Sequence, residues 1–145
     1  FTKTGKFVSA DDNADNIYVH DGFKNTYDDS FSGSATATFG ISVDHNGNII
    51  EGDFIASKYY LHRKLTSTVD DSFSTVKART SGCSWDATTQ NLYGIDSDAG
   101  FVNQVCRRYT GFSSSVEDSF SATNILFNLD WDDFGGRTGV GNGFF

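Results

Sequence analysis

Tyr27-Asp28-Asp29-Ser30-Phe31-Ser32 returns as Val69-Asp70-Asp71-Ser72-Phe73-Ser74 and again as Val116-Glu117-Asp118-Ser119-Phe120-Ser121. The steps from 27 to 69 to 116 are 42 and 47 residues. Three other markers keep the same order. The first is Gly40-Ile41-Ser42-Val43-Asp44, Gly82-Cys83-Ser84-Trp85-Asp86 and a degenerate Asn128-Leu129-Asp130-Trp131-Asp132. The second is Phe7-Val8-Ser9-Ala10-Asp11, Ile49-Ile50-Glu51-Gly52-Asp53 and Leu92-Tyr93-Gly94-Ile95-Asp96. The third is Asn16-Ile17-Tyr18-Val19-His20, Lys58-Tyr59-Tyr60-Leu61-His62 and Val105-Cys106-Arg107-Arg108-Tyr109. Four markers in fixed order are not a chance match; they are an internal repeat of about 40–45 residues, the period of a four-stranded unit.

Each unit reads as four short strands, A to D, separated by turn chemistry. Strand A carries Gly-x-Ser-x-Asp, and in the second unit Asn46-Gly47 follows it, the dipeptide of a tight type I′ hairpin. Strand B ends on the recurrent Asp. A polar loop such as Asp12-Asn13-Ala14-Asp15 leads into strand C, and strand D surrounds Ser-Phe-Ser. The expected fold is all-β: about three four-stranded antiparallel propeller-type blades with circularly offset termini. The units fall at about 1–39, 40–81 and 82–127, with a partial unit at 128–145, in one repeat domain.

Composition agrees. The 145 residues hold 17 Asp but 2 Glu, and 14 Phe against 5 Leu, with neither Pro nor Met. Helix formers are scarce and strand formers abundant, which excludes a helical bundle. No apolar run approaches the ~18 residues of a helical membrane span, so no membrane partner is expected. A formal charge of −8 opposes nucleic acid. A chain without Met that opens on Phe1 reads as processed or cut, and points to a secreted or extracellular setting. Cys83 and Cys106 fall on strands A and C of one unit, about 9–10 Å apart across strand B. That is too far for a disulfide, and free buried thiols are expected.

Trp85-Asp86 followed by Asn91-Leu92-Tyr93, a polar loop, a third strand and Gly111-Phe112-Ser113-Ser114-Ser115-Val116-Glu117-Asp118-Ser119-Phe120 resembles β-propeller repeats of the NHL, YVTN and kelch-like kind. The nearest likeness is to tandem repeats with Trp-Asp-Gly-Thr-Asn-Leu-like and Gly-Phe-Ser-Ser-Thr-like elements. The resemblance covers nearly the whole chain and implies a propeller. It implies no single function, since such families bind proteins, sugars or small ligands, or serve as scaffolds.

The ends are offset. The first unit enters at Thr4-Gly5-Lys6, aligned with Asn46-Gly47-Asn48, and so lacks strand A, while the last unit, from Asn128, offers strand A and at most strand B. Three blades fall below the usual four. The reading is therefore a non-enzymatic structural repeat protein that self-assembles by terminal strand complementation into an oligomer or filament. Phe7, Leu129, Trp131, Val140, Phe144 and Phe145 are its candidate assembly residues. Two alternatives stand beside it: a fragment of a longer propeller, and a module that recognises a glycan or protein.

The candidate ligand residues are Asp11, Asp53 and Asp96, at equivalent strand-B ends. They could ring a ligand, or bond the backbone of the turns that follow. Asp44-His45-Asn46-Gly47-Asn48 begins like a calcium loop, but Ile49 and Ile55 stand where Gly and Glu belong. His20, His62 and Tyr109 share one slot, a polar-tipped aromatic packing position. Phe31, Phe73 and Phe120, with Phe23, Leu65 and Phe112, read as packing between units. No nucleophile elbow, phosphate loop or zinc-protease motif occurs, and no metal or cofactor is expected.

Overall fold

The computed structural model describes residues 2, 4–11, 13–100, 103–122, 128–132 and 137–141. Among these residues every regular element is a strand: β1 (Phe7–Asp11), β2 (Asn16–His20), β3 (Asp29–Ser32), β4 (Thr38–Val43), β5 (Ile49–Asp53), β6 (Lys58–His62), β7 (Val69–Ser74), β8 (Arg79–Asp86), β9 (Asn91–Ser97), β10 (Val105–Tyr109), β11 (Val116–Ser121), β12 (Asn128–Asp132) and β13 (Arg137–Gly141). They form antiparallel meanders ordered β1-β2-β3, β4-β5-β6-β7 and β8-β9-β10-β11, followed by the pair β12-β13. The sheets do not close into a barrel.

Strands A to D of the second unit are β4 to β7, and those of the third are β8 to β11. Among the described residues the first sheet has three strands, corresponding to B, C and D, and β12 pairs with β13 alone. Registers repeat residue for residue: Phe7 lies opposite His20, Ile49 opposite His62, and Leu92 opposite Tyr109. Strand D follows suit, with Ile17 opposite Phe31, Tyr59 opposite Phe73, and Cys106 opposite Phe120. Equal spacing along each strand fixes which face a side chain takes, so equivalent letters sit in equivalent environments wherever a neighbouring sheet is present.

One turn differs from its expected form. A type I′ hairpin needs positive φ at both central residues, yet at Asn46-Gly47 only Gly47 has it, at 83°. The cause is Asp44, whose carboxylate accepts from the Asn46 and Asn48 amides and the Asn48 side chain, each at 2.8 Å. The loop closes over five residues around that side chain, with Val43 opposite Ile49.

The sheets stack face on face. Val8, Ala10, Ile17 and Phe31 of the first sheet meet Ile41, Val43, Ile49 and Leu65 of the second. Ile50, Tyr59, Leu61 and Phe73 of the second meet Cys83, Trp85, Leu92, Tyr109 and Phe112 of the third. Inner strands lie directly together, β4 on β8 and β8 on β12. Small residues permit this: a Cβ on Gly40 would come within 2.9 Å of the β8 backbone at Gly82 and Cys83. Tyr59 and Tyr109, both fully buried, and Phe73 and Phe112 fill the space farther out. Cys83 and Cys106 are buried and unbonded, as the strand order requires.

Four of the six expected packing residues are packed. Phe23 and Phe120 are not: they are 85% and 61% exposed. The reason is position in the stack. Phe23 lies on the outer face of the first sheet and Phe120 on the far face of the third, where no sheet of the described residues covers them.

Candidate functional site

Asp11, Asp53 and Asp96 stand at equivalent strand ends but hold different partners. Asp53 is fully buried. Its Oδ1 accepts from the Ile55 and Ala56 amides, both at 2.8 Å, and its Oδ2 from the Thr36 amide at 2.7 Å. Asp11 is half-buried and accepts from the Asn13 amide at 3.0 Å. Asp96 turns to side chains: its Oδ2 accepts from Arg107 Nε at 2.7 Å and the Tyr109 hydroxyl at 2.8 Å. Its Oδ1 is buried with no partner, as is Oγ1 of Thr80 directly across the ladder. The connection after Asp53 closes by Lys58, whereas that after Asp96 runs on to Val105, so the tight-turn amides that cap Asp53 do not recur. Burial raises the Asp96 carboxyl above its ordinary range, against the pull of Tyr109 and Arg107.

The slot of His20, His62 and Tyr109 places a polar tip beside strand B in each of the three larger sheets. His20 meets Ser9 at 2.9 Å and the Thr26 carbonyl at 3.0 Å. His62 Nε2 meets Glu51 Oε2 at 2.8 Å, and both side chains are wholly buried. Glu51 also accepts from the Ser34 amide and the Thr38 hydroxyl. Burial works against its charge, but these donors outweigh that and hold its carboxyl below the ordinary range. Glu51 was not singled out from sequence. Its signal is an acid in the inward run Ile49-Ile50-Glu51-Gly52, where a charge requires a buried donor.

The paired acids of strand D divide their work. Asp29, Asp71 and Asp118 each cap the amide of the serine that follows. Asp28, Asp70 and Glu117 each face a cation, namely Lys6, Arg63 and Arg108. These pairs are surface features, worth little individually.

Apolar and aromatic side chains also gather on the outer faces of the first and third sheets. On the first sheet Phe7 packs against His20 at 5.4 Å and Phe23 at 5.6 Å between ring centroids, and Tyr18 against Tyr27 at 4.8 Å. On the far face of the third sheet Tyr93, Cys106, Arg108 and Phe120 line a shallow groove. Of the candidate assembly residues, Phe7 belongs to the first surface. Leu129, Trp131 and Val140 lie on β12 and β13, and their side chains, like Phe144 and Phe145, fall outside the described residues. Among the described residues no group of three or more His, Cys, Asp or Glu could hold a metal ion.

Solved structures share this fold. A chain in the crystal structure of the mitotic checkpoint complex superposes with a TM-score of 0.66 at 7% identity, over 94% of this chain and 44% of that one. The neighbour is a WD40-like propeller protein. At that identity the likeness is one of fold alone, and this chain spans less than half the length of the one it matches. In all, 302 solved chains match, so the scaffold is too widely shared to select a function. No protein-family model matches the sequence. No curated protein matches it either.

Proposed function

We propose that the chain is a propeller-type repeat scaffold, structural in role, whose copies join through the open edge of the first sheet. One observation carries this reading. In the two complete sheets the strand equivalent to β1 is hydrogen-bonded on both sides, β5 between β4 and β6 and β9 between β8 and β10, whereas among the described residues β1 pairs only with β2. A strand with one unpaired edge is a template for another strand. The stacking of sheets on their inner strands and the propeller-like solved neighbour support a blade arrangement.

Among the described residues β12 and β13 pair with each other, in the places of strands A and B of a further unit. β12 thus offers the strand A that the first sheet lacks, while β13 duplicates its strand B. Contact between unlike ends of identical copies gives a ring if its rotation closes and a filament if it does not. Sedimentation velocity over a wide concentration range tests the reading. Oligomers that grow with concentration, and are lost on removing residues 128–145, are expected. A monomer at every concentration overturns it.

A further inference from the structure

An edge strand presents a row of backbone amides and carbonyls that can template another chain. Among the described residues the strand-D elements β3, β7 and β11 pair on one side only, with β2, β6 and β10. Which of their amides face outward follows from the ladder. Along one strand of an antiparallel pair, successive amides point alternately to the partner and away from it. The amides of Gly33, Thr75 and Ala122 donate inward, to the carbonyls of Asp15, Ser57 and Gln104. Counting back by twos, the amides of Phe31, Phe73 and Phe120 also face inward. Both serines of each Ser-Phe-Ser therefore turn their amides to the outer edge.

The first of these outward amides is taken in every sheet by the same device. Ser30 donates to Asp29 Oδ1 at 2.8 Å, Ser72 to Asp71 Oδ1 at 2.7 Å, and Ser119 to Asp118 Oδ1 at 2.8 Å. Reach explains the residue. The position before the serine is Asp three times, whereas the acid before that, which faces a cation, is Asp28, Asp70 or Glu117. A charge alone tolerates either acid, but a carboxylate that must curl onto the very next amide has to be the shorter one. Packing offers no competing reason, since Asp29, Asp71 and Asp118 are all exposed. The inner edge is closed differently: there the Trp85 amide of β8 donates to Ser42 Oγ of the second sheet at 3.0 Å. On the inside the acceptor comes from the neighbouring sheet, and on the outside from the strand itself.

We infer that Asp29, Asp71 and Asp118 close the outer edge of each sheet against strand addition, each by occupying the amide that an incoming strand would need. The partner excluded is an extended chain segment, above all the edge strand of a second copy. The recurrent aspartate of the repeat thus guards an edge instead of holding a ligand. The inference is independent of the self-association reading above, because it concerns edges that reading does not use.

The test uses the full chain with Asp29, Asp71 and Asp118 changed together to Ala, to Glu or to Asn. Glu keeps the charge and loses the reach, while Asn keeps an acceptor at the same reach and loses the charge. Circular dichroism checks that each variant is folded, and thioflavin T fluorescence follows assembly against protein concentration. The Ala and Glu variants are expected to assemble at a concentration about tenfold or more lower than wild type, the scale of a lost hydrogen bond to a charged group. The Asn variant should keep the wild-type threshold. If the Glu variant also keeps it, or the Asn variant assembles as readily as the Ala variant, charge guards the edge and the inference is overturned. It is overturned equally if all three behave as wild type. Should a triple variant not fold, Asp71→Glu and Asp71→Asn carry the same comparison on one edge. A wild type that is monomeric at every concentration ends the self-association reading alone and leaves this comparison intact.

Discussion

His62 Nε2 lies 2.8 Å from Glu51 Oε2, and neither side chain is exposed to solvent. The pair sits on the face of the second sheet that packs against the first, with the Phe31 ring beside the imidazole. Glu51 also holds the chain entering the second sheet, through the Ser34 and Ala35 amides and the Thr38 hydroxyl. One carboxylate thus ties strand B, strand C and the connection between sheets. Space is reserved for it: a Cβ on Gly33 would run into its carboxylate.

Removing that carboxylate should be costly. Glu51→Ala leaves buried donors unpaired and is expected to lose about 3–5 kcal/mol at neutral pH. The charge itself is tested by Glu51→Gln. Because the folded state lowers the Glu51 pKa, its contribution is fully present above the unfolded value of about 4.3. It is lost as pH falls through the lower folded value. The stability gap between wild type and Glu51→Gln, measured by urea unfolding, should therefore be widest near neutrality and narrow below about pH 4. A gap independent of pH would show that the hydrogen bonds matter and the charge does not.

A second expectation concerns the tightest contact between the complete sheets. A Cβ on Gly94 would overlap the Tyr59 hydroxyl and come within 3.2 Å of the Tyr109 ring. Gly94→Ala should cost about 1–3 kcal/mol by overpacking. Tyr59→Phe removes the colliding oxygen and one hydrogen bond, from the hydroxyl to the Gly82 carbonyl at 3.2 Å, at a cost near ~1 kcal/mol. The double variant should be more stable than the sum of the two losses implies, with a coupling of about 0.5–3 kcal/mol in a double-mutant cycle. Strict additivity would mean that the two sheets relax apart instead of colliding.

These contacts bear on what the sequence makes legible. The four-strand order and the absence of strand A from the first unit follow from spacing alone, because strand period and turn chemistry are local. Exposure is not local. Phe23 carries the same repeat position as Leu65 and Phe112, and Phe120 the same as Phe31 and Phe73, yet these two lie open because burial depends on which sheet comes next. The Asn46-Gly47 turn misled for a related reason. Its dipeptide favours one geometry, while the Asp44 carboxylate two residues earlier supplies bonds that select another. Glu51 and Asp96 show the same limit at the candidate site: the recurrence of an acid is visible in sequence, but its partner on strand C, His62 or Arg107, is set by the register.

The strand-end aspartates give the last expectation. If the three were equivalent members of a ligand ring, neutralising each would cost the fold little and about equally. Their partners differ too much for that. Asp53→Asn replaces one of two accepting oxygens with a donor, in a buried site that receives three backbone amides. It should lose about 1.5–3 kcal/mol, the scale of hydrogen bonds to a charged group. Asp11 is half-buried and receives one amide, so Asp11→Asn should stay within about 0.5 kcal/mol of wild type. Urea unfolding of the two variants side by side decides the matter. Equal small losses would favour a role outside the fold for both residues. A large loss confined to Asp53 would make it the cap of the β5–β6 turn and leave Asp11 as the residue whose conservative replacement can be assayed for binding without unfolding the protein.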